Sequence, residues 1–466
     1  MRRILLPLIL LLTVQAASSE ELVNRTVAPG VRYRSFYLPQ GPWAIHLLEI
    51  DLTNPAIDIK SVKAQDRLIG SERTSSMASR YNGNGHWVVG AINGDFYDTG
   101  GIPINCQVIN SRLLKTPGSH SVIGFYTNLK PFIEILQYSG VIIKKNKYRH
   151  TLDGINRNRK TDELIVYNSF FGTSSQTNIW GTEIRFRAVK GWAVNDTFRV
   201  VVIGIDSTHG NQDIPANGGI FSGHGAARDW LLRKIAVGDT LKLVLQLQPL
   251  KKKIKEAVGG LPRIIRDGQT SIEEGSVGFE NVRHPRTGVG FSQDSTKLFL
   301  FTVDGRQPGY SDGMTLYEMA DFLKPLGVYQ AVNLDGGGST TMVVRNQVVN
   351  RPSDPTGERL VANSLLVISK TPLDTLSQLN ILPNPQRLFP DATCQLRMEN
   401  FGQHFNLTDY FTGVDFSVGR LNVFPAEFTL RPGFLNLNNT QNYFYYLPLH
   451  PGRSVQFGQP AAANFN

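Results

Sequence analysis

Apolar and polar residues alternate over much of this chain, which is the pattern of half-buried β-strands. The alternation is clear in WAIHLLEIDL (43–52) and in AIDIKSVKA (56–64). The same reasoning predicts further strands, in chain order, within residues 86–93, 163–168, 183–189, 198–205, 241–247 and 297–303. Glycine-rich segments separate several of them, and we interpret two, ANGGIFSGHGAA (216–227) and AVGGLPRIIRDG (257–268), as loops.

One helix is predicted over residues 316–323, because apolar residues recur there at the spacing of one helical face: Leu316, Met319, Ala320 and Leu323. Thr315 and Glu318 have the spacing of a capping box, and we give Glu318 this role before a catalytic one. Pro325 and Gly327 favour an end to the helix.

This helix lies between two strand patterns, LFLFTV (298–303) and YQAVNL (329–334). A strand–helix–strand unit usually makes its strands parallel. Asp304 follows the first strand and Asp335 the second, so we expect both acids at one edge of a sheet, where such sheets bind ligands. An equally open interpretation makes Asp335 a turn former beside a glycine bulge at residues 336–338.

The overall pattern predicts an α+β protein, with a strand-rich mixed sheet core, a few helices and a small C-terminal tail or domain. The first 16 residues have the form of a signal peptide: Arg2 and Arg3, an apolar run over 4–14 and a small-residue cleavage pattern. We expect residues 17–370 to form the main domain. Residues 371–466 would form an extension, because the chain there becomes rich in Asn, Phe and Pro.

The signal pattern predicts a secreted or periplasmic protein, and no later segment approaches 18 apolar residues, so no integral membrane segment is expected after cleavage. The formal net charge is +10, which favours anionic substrates. No nucleic-acid motif accompanies the basic cluster at 251–255, and no nucleic-acid partner is expected. Cys106 and Cys394 could form one bridge, and no zinc-type spacing appears, so we expect neither metal nor cofactor.

Basic residues stand close to the ends of the predicted strands. Arg306 lies two residues after Asp304, and His284 and Arg286 stand just before a predicted strand. Arginine fits a phosphate with two parallel hydrogen bonds, and bare glycine backbone can close on an anion. These residue types together favour a phosphate-bearing substrate.

Six segments, taken in order, resemble the phosphodiester glycosidase family: AINGDFYDTGGIPIN, IFSGHG, HPRTGVG, VDGRQPGYSDGMTL, NLDGGGSTTM and VVNRPSDPTGER. The resemblance spans roughly residues 30–370. One departure is Leu261, where the family often has a third glycine. The resemblance implies hydrolysis of a sugar–phosphate diester at the C1–O bond of the sugar.

A departing phosphomonoester is a good leaving group, since its second pKa is about 6. The reaction then needs a carboxylate near the sugar carbon and positive charge near the phosphate. We assign Asp304 and Asp335 to the first task, with Asp95 as the third candidate. The predicted substrate-binding residues are Asn93, His284, Arg286, Arg306, Gly336, Gly337, Gly338, Ser339 and Glu358.

Two other functions compete with this one. A metal-dependent phosphodiesterase that cuts P–O would need clustered metal ligands, and the nine histidines include no clustered pair. A non-catalytic polysaccharide-binding or envelope-assembly protein, for example one acting on exopolysaccharide, could use the same pocket.

Overall fold

A computed structural model describes residues 20–274 and 278–372, together with six short strands between residues 376 and 456. The chain divides into two compact units, residues 1–370 and 371–466. The predicted signal peptide and Cys394 lie outside the described residues, whereas Cys106 is buried.

The described part of the first unit is mainly strand. Its strands are β1 Glu20–Ala28, β2 Val31–Leu38, β3 Trp43–Asp51, β4 Ile57–Lys63, β5 Glu72–Arg73, β6 Trp87–Asn93, β7 Gln107–Ile109, β8 Arg112–Lys115, β9 Ser121–Tyr126, β10 Pro131–Ile135, β11 Gln137–Lys144, β12 Tyr148–Leu152, β13 Gly154–Ile155, β14 Leu164–Asn168, β15 Thr182–Ala188, β16 Asp196–Asp206, β17 Gly218–Gly223, β18 Thr240–Gln248, β19 Ile254–Gly259, β20 Arg263–Arg266, β21 Gln269–Thr270, β22 Arg286–Phe291, β23 Lys297–Val303, β24 Gln330–Asn333, β25 Met342–Val344, β26 Gln347–Val348, β27 Leu360–Val361 and β28 Asn363–Ser369. The confirmed fold class is therefore α+β and strand-rich.

Helices are few in the described residues. The α-helices are α1 Thr74–Tyr81, α2 Ala226–Lys234 and α3 Leu316–Leu323, and the 3-10 turns are Ala64–Asp66, Lys324–Leu326 and Gly337–Ser339. The longest has nine residues, so none of the described helices could cross a lipid bilayer. The second unit contributes β29 Leu376–Leu382, β30 Arg387–Leu388, β31 Arg397–Gly402, β32 Ala426–Glu427, β33 Leu430–Arg431 and β34 Val455–Gln456, which pair in twos.

An eight-stranded sheet forms the centre of the first unit, in the order β1-β2-β3-β23-β22-β24-β20-β21. Strand β22 lies between β23 and β24 and is antiparallel to both. Strands β23 and β24 are therefore parallel, as predicted, with one strand between them. Helix α3 connects them and carries the predicted capping box at Thr315 and Glu318.

The central sheet is buried on both faces, and strand β23 shows how the sequence achieves this. Leu298 and Leu300 point to one face, and Phe299 and Phe301 to the other, since side chains alternate along a strand. The phenylalanine face packs against the apolar side of α3. The leucine face packs against a five-stranded sheet of order β26-β25-β6-β28-β4. The candidate site lies where these two sheets meet at one end.

The remaining sheets have the orders β10-β9-β19-β7-β8, β12-β11-β18-β16-β15-β17-β14-β13 and β27-β5. The prediction of two glycine-rich loops is wrong, because residues 216–227 contain β17 and residues 257–268 contain β19 and, from the central sheet, β20. The physical reason is close strand packing. A Cβ atom at Gly218 would collide with the backbone oxygen of Phe186 on the neighbouring strand, so glycine here serves the sheet and not a loop.

Candidate active site

Three predicted site residues lie at one edge of the central sheet. Asp304 directly follows β23, and Asp335 comes two residues after β24. Arg286 begins β22, which runs in the opposite direction, and it pairs with Val303 on β23. The parallel arrangement therefore brings both acids and one arginine to the edge that the sequence indicated.

The five-stranded sheet supplies the residues that hold Asp335. The Asp335 N–H donates to the Gly94 carbonyl at 2.9 Å, and its carbonyl accepts from Asn93 Nδ2 at 2.6 Å. Asn93 is fully buried, and its Oδ1 accepts from the Thr287 hydroxyl at 2.8 Å and from the Thr341 N–H at 3.1 Å. The amide of Asn93 thus ties the main chain of Asp335 to both sheets.

The carboxyl group of Asp335 is half-buried, with the Ser339 hydroxyl and the Arg359 guanidinium nearby. Burial raises its pKa to about 6, and these two neighbours partly oppose that rise. Tyr97 stands beside the same group and donates to the Leu360 carbonyl at 2.8 Å. An acid of this pKa changes charge near neutral pH, as general acid–base chemistry requires.

Asp95 follows β6 and is only 2% exposed. Burial raises its pKa to about 7, opposed by a 2.8 Å hydrogen bond from the Asn105 N–H to Oδ2, while the Asp335 charge adds to the rise. Its Oδ1 is buried and has no hydrogen-bond partner among the described residues. Two carboxyl groups with raised pKa values therefore lie at this end of the molecule, and the charge of Asp335 raises the pKa of Asp95.

This burial predicts a pH-dependent effect of Asp95→Asn on stability. The unfolded Asp95 loses its proton near its ordinary pKa of 3.8, and the folded one only near 7, so stability falls as pH rises between those values. Asparagine cannot ionise. We expect the free energy of unfolding of the variant to exceed that of the parent by about 2–4 kcal/mol at pH 8, and by little at pH 4. Urea unfolding at both pH values measures this, and an equal stability at pH 8 would contradict the burial argument.

Asp304 has a different setting from the other two acids, since its side chain has no exposed surface. It accepts hydrogen bonds from Tyr310 Oη at 3.0 Å, Asn350 Nδ2 at 2.9 Å and the Arg351 N–H at 2.8 Å. His46 Nε2 lies 3.7 Å from Asp304 Oδ2, the oxygen that also accepts from Tyr310 and Arg351. Asp304 therefore joins the end of β23 to the loops that carry these partners.

The two arginines also differ. Arg286 is 3% exposed, and its guanidinium donates to the backbone carbonyls of Met314, Phe279 and Val282. Burial, and then the charge of Arg306, lower its pKa to about 10. Arg306 is exposed. No carboxylate of the described residues lies within 4.0 Å of either guanidinium, so both positive charges can act on a bound anion.

Two of the three glycines make room for arginine side chains, whereas a Cβ atom at Gly336 would collide with the Pro285 carbonyl. A Cβ atom at Gly337 would lie 3.1 Å from the Arg306 guanidinium, and one at Gly338 would collide with Arg359. Gly337 has φ +61°, which disfavours other residues. Its N–H donates to the Pro285 carbonyl at 2.9 Å, so this group is already used within the protein. The glycines therefore place two guanidinium groups against bare backbone.

The remaining predicted residues contact different parts of the structure, and not all of them lie beside the acids. The Nδ1 of His284 lies 3.3 Å from an Arg306 nitrogen, and burial followed by the two neighbouring arginines lowers its pKa. The buried Ser339 adjoins Asp335. Glu358 instead accepts from the N–H and hydroxyl of Ser75 at 2.8 and 2.5 Å, at the N-terminus of α1.

The sequence did not single out Tyr97 or Asn350 for the site, and it left open whether Arg359 lines the site or pairs with Glu358. In the structure Arg359 pairs with Asp354. Tyr97 and Arg359 stand within two of the quoted motifs, but residue type alone did not distinguish them from surface residues. Asn350 stands in the same motif as Arg359, but its role was not visible in the sequence because its partner Asp304 is 46 positions away. In the described part of the chain, no three His, Cys, Asp or Glu side chains are placed to hold a metal ion together.

Comparison with known proteins agrees with the sequence motifs. Residues 190–368 match the family model described as phosphodiester glycosidase, which confirms the resemblance over that part of the chain. N-acetylglucosamine-1-phosphodiester alpha-N-acetylglucosaminidase of Mus musculus is 37% identical over 112 residues, which cover 21% of this chain and 21% of the mouse protein. The chain thus matches about a fifth of the length of this relative.

Two further matches extend this result. The SPbeta prophage-derived uncharacterized protein YomE of Bacillus subtilis (strain 168) is 40% identical over 87 residues, covering 19% of this chain and 13% of that protein. The crystal structure of a hypothetical protein from Synechocystis covers 73% of this chain and 62% of its own, with a TM-score of 0.55 and 19% identity. At that identity the structural match concerns the fold alone.

Proposed function

We propose, starting from the family match over residues 190–368, that this chain is an exported hydrolase that cleaves the C1–O bond of sugar-1-phosphodiesters. The observation that carries the proposal is that two acids with raised pKa values, Asp335 and Asp95, lie at one end of the molecule. Arg286 and Arg306 lie at the same end, and no carboxylate of the described residues forms an ion pair with either. Carboxyl groups serve the sugar carbon and arginines serve the phosphate, which is the division of labour that this bond requires.

In the proposed reaction, water attacks C1 of the sugar and the C1–O bond breaks. Its electron pair leaves with the phosphate oxygen, giving a phosphomonoester, and a proton of the water passes to a carboxylate. The half-buried Asp335 is the residue we assign to the sugar carbon and the water. Asp95 has the higher pKa, which the charge of Asp335 helps to raise, so Asp95 is proposed to keep its proton at a pH where Asp335 has already ionised.

The contacts favour positioning roles for other predicted residues. Arg306 is exposed and is proposed to grip the phosphate, whereas Arg286 holds three backbone carbonyls and supplies positive charge from within. Asn93 is proposed to hold the Asp335 main chain, because both ends of its amide are engaged. Asp304 is proposed to hold the surrounding loops, since three donors and His46 surround its carboxylate.

The boundaries of the enzyme remain part of the same proposal. Residues 1–16 would direct export to the periplasm or the outside, residues 17–370 would carry the chemistry, and residues 371–466 would not be needed for it. An anionic glycan or a smaller sugar-phosphate diester would serve as substrate. The positive net charge supports either, because it attracts anions to the surface.

The bond that breaks is tested with isotopic water. When the enzyme hydrolyses a glycosyl phosphodiester in ¹⁸O-water, we expect the label in the anomeric hydroxyl of the released sugar, because water attacks carbon. Mass spectrometry of both products locates the label. Label in the phosphomonoester would mean P–O cleavage, and would support a phosphodiesterase instead.

An aryl phosphodiester of a sugar separates the enzyme from a binding protein. C1–O cleavage yields free sugar and an aryl phosphate, so the coloured phenol should appear only after phosphatase is added. Phenol released without phosphatase would indicate cleavage of the other ester bond. No phenol under either condition, across a panel of sugars, would favour the non-catalytic glycan-binding alternative.

A further inference from the structure

A continuous chain of buried hydrogen bonds runs from Asp95 into the core. The Asp95 N–H donates to Asn363 Oδ1 at 2.8 Å, Asn363 Nδ2 donates to Gln107 Oε1 at 3.1 Å, and Gln107 Nε2 donates to Ser61 Oγ at 2.8 Å. The side chains of Asn363, Gln107 and Ser61 are fully buried. They lie on β28, β7 and β4, so the chain links strands of two different sheets.

The direction of each hydrogen bond in this chain is fixed by which groups are able to donate. A backbone N–H can only donate, so Asn363 must present its oxygen to Asp95 and its NH₂ to Gln107. Gln107 must then present its oxygen to Asn363 and its NH₂ to Ser61. Each amide therefore has one allowed orientation: the Asp95 N–H sets it at Asn363, and Asn363 sets it at Gln107.

The far end of the chain reaches a second buried acid. The Ser61 N–H donates to Glu256 Oε2 at 3.1 Å, and the Asn110 N–H donates to Oε1 at 3.2 Å. Glu256 is fully buried, and burial raises its pKa to about 8. At neutral pH this end of the chain is therefore mostly uncharged, so no strong charge competes for the amide of Gln107.

We infer that Gln107 is a positioning residue for the reaction: acting through Asn363, it holds the main chain of Asp95 so that the carboxyl group stays beside Asp335. Gln107 touches neither substrate nor Asp95 itself. The packing at this point leaves little freedom, since a Cβ atom at Gly94 would collide with Asn363 Oδ1. The inference rests on the proposed function, but part of its test does not require activity.

Two substitutions at residue 107 make the test. Gln107→Met keeps the approximate size but removes both hydrogen bonds, so the NH₂ of Asn363 loses its acceptor and the Asn363 amide is no longer anchored against the Asp95 N–H. Gln107→Glu, neutral in this buried place near pH 5.5, keeps an acceptor for Asn363 and a hydroxyl donor for Ser61. We expect kcat at pH 5.5 to fall by about 10- to 100-fold in Gln107→Met with KM changed less than about threefold, and to stay within about threefold in Gln107→Glu.

Hydrogen exchange supplies the readout that is independent of activity. In Gln107→Met, the amide of Asp95 should exchange about tenfold faster, measured by mass spectrometry on a peptide spanning residues 93–97. In Gln107→Glu it should stay protected. If the parent protein turns over no glycosyl phosphodiester but exchange responds in this way, the proposed function fails and the positioning contact stands.

A matched control is Asn168→Leu in another part of the core. Asn168 is fully buried and its amide bonds to the Leu113 carbonyl and to Asn156, away from Asp95. This variant should lose thermal stability while kcat and exchange at residues 93–97 stay unchanged. Equal losses of kcat in Gln107→Met and Asn168→Leu, or unchanged exchange in Gln107→Met, would overturn the inference and leave Gln107 as a packing residue.

Discussion

Replacing Asp335 with asparagine should lower kcat by about 10³-fold while the protein remains folded. Asparagine has nearly the same shape, and the main-chain bonds of residue 335 to Asn93 and Gly94 do not involve the lost carboxylate. What disappears is the group whose pKa of about 6 lets it take a proton from water in the proposed reaction. Steady-state kinetics at pH 6 together with thermal unfolding measure both parts of this expectation.

A suitable control for this variant is Asp321→Asn. Asp321 lies on α3, its side chain is 68% exposed, and it pairs with Lys324 away from the sheet edge. Its replacement removes the same charge and should leave kcat unchanged. Near-normal kcat in a folded Asp335→Asn protein would return Asp335 to the turn-forming role that the sequence left open.

Replacing Arg306 with lysine should lower kcat/KM by about 10²-fold, although the positive charge is kept. A guanidinium can hold two phosphate oxygens at once, whereas an ammonium group acts as a single point of charge. Arg306 is exposed, with its guanidinium beside Gly337 and His284, so it is free to bind a ligand. The measurement is kcat/KM with a glycosyl phosphodiester at low and moderate ionic strength.

Arg283→Lys is the matched control, because Arg283 is also exposed but is paired with Glu318 at 2.6 Å. We expect its kcat/KM to match that of the parent. If Arg306→Lys also matched the parent, phosphate binding would have to be reassigned to Arg359 or to the backbone of the glycine segment.

Local sequence patterns predicted the part of the fold that local physics determines. The capping box at Thr315 and Glu318 and the apolar face of α3 depend on residues within one or two turns, and both are present. The parallel relation of β23 and β24 followed from the connection between them. That β22 lies between the two could not be predicted, because strand order depends on packing between residues far apart in the sequence.

The same limit applies to the site. The sequence indicated the edge where Asp304, Asp335 and Arg286 lie, but not the difference in their surroundings. Asp304 is enclosed by donors such as Asn350 that come from a distant loop, whereas Asp335 is half-buried and has fewer partners. The glycines of residues 216–227 and 257–268 were interpreted as loop residues, but several lie in strands that pack closely on a neighbour. A loop and a tightly packed strand can have the same glycine content.

The attachment of Asp335 to the five-stranded sheet restricts how this protein can open. Its N–H and carbonyl are both bound by residues 93 and 94, and Asn93 is bound in turn to Thr287 on the central sheet. If the two sheets moved apart, these three hydrogen bonds would break at the same time. Room for a bulky group beyond the phosphate must therefore come from side chains and loops at the rim, such as the exposed Arg306 and Arg359, and not from a hinge between the sheets.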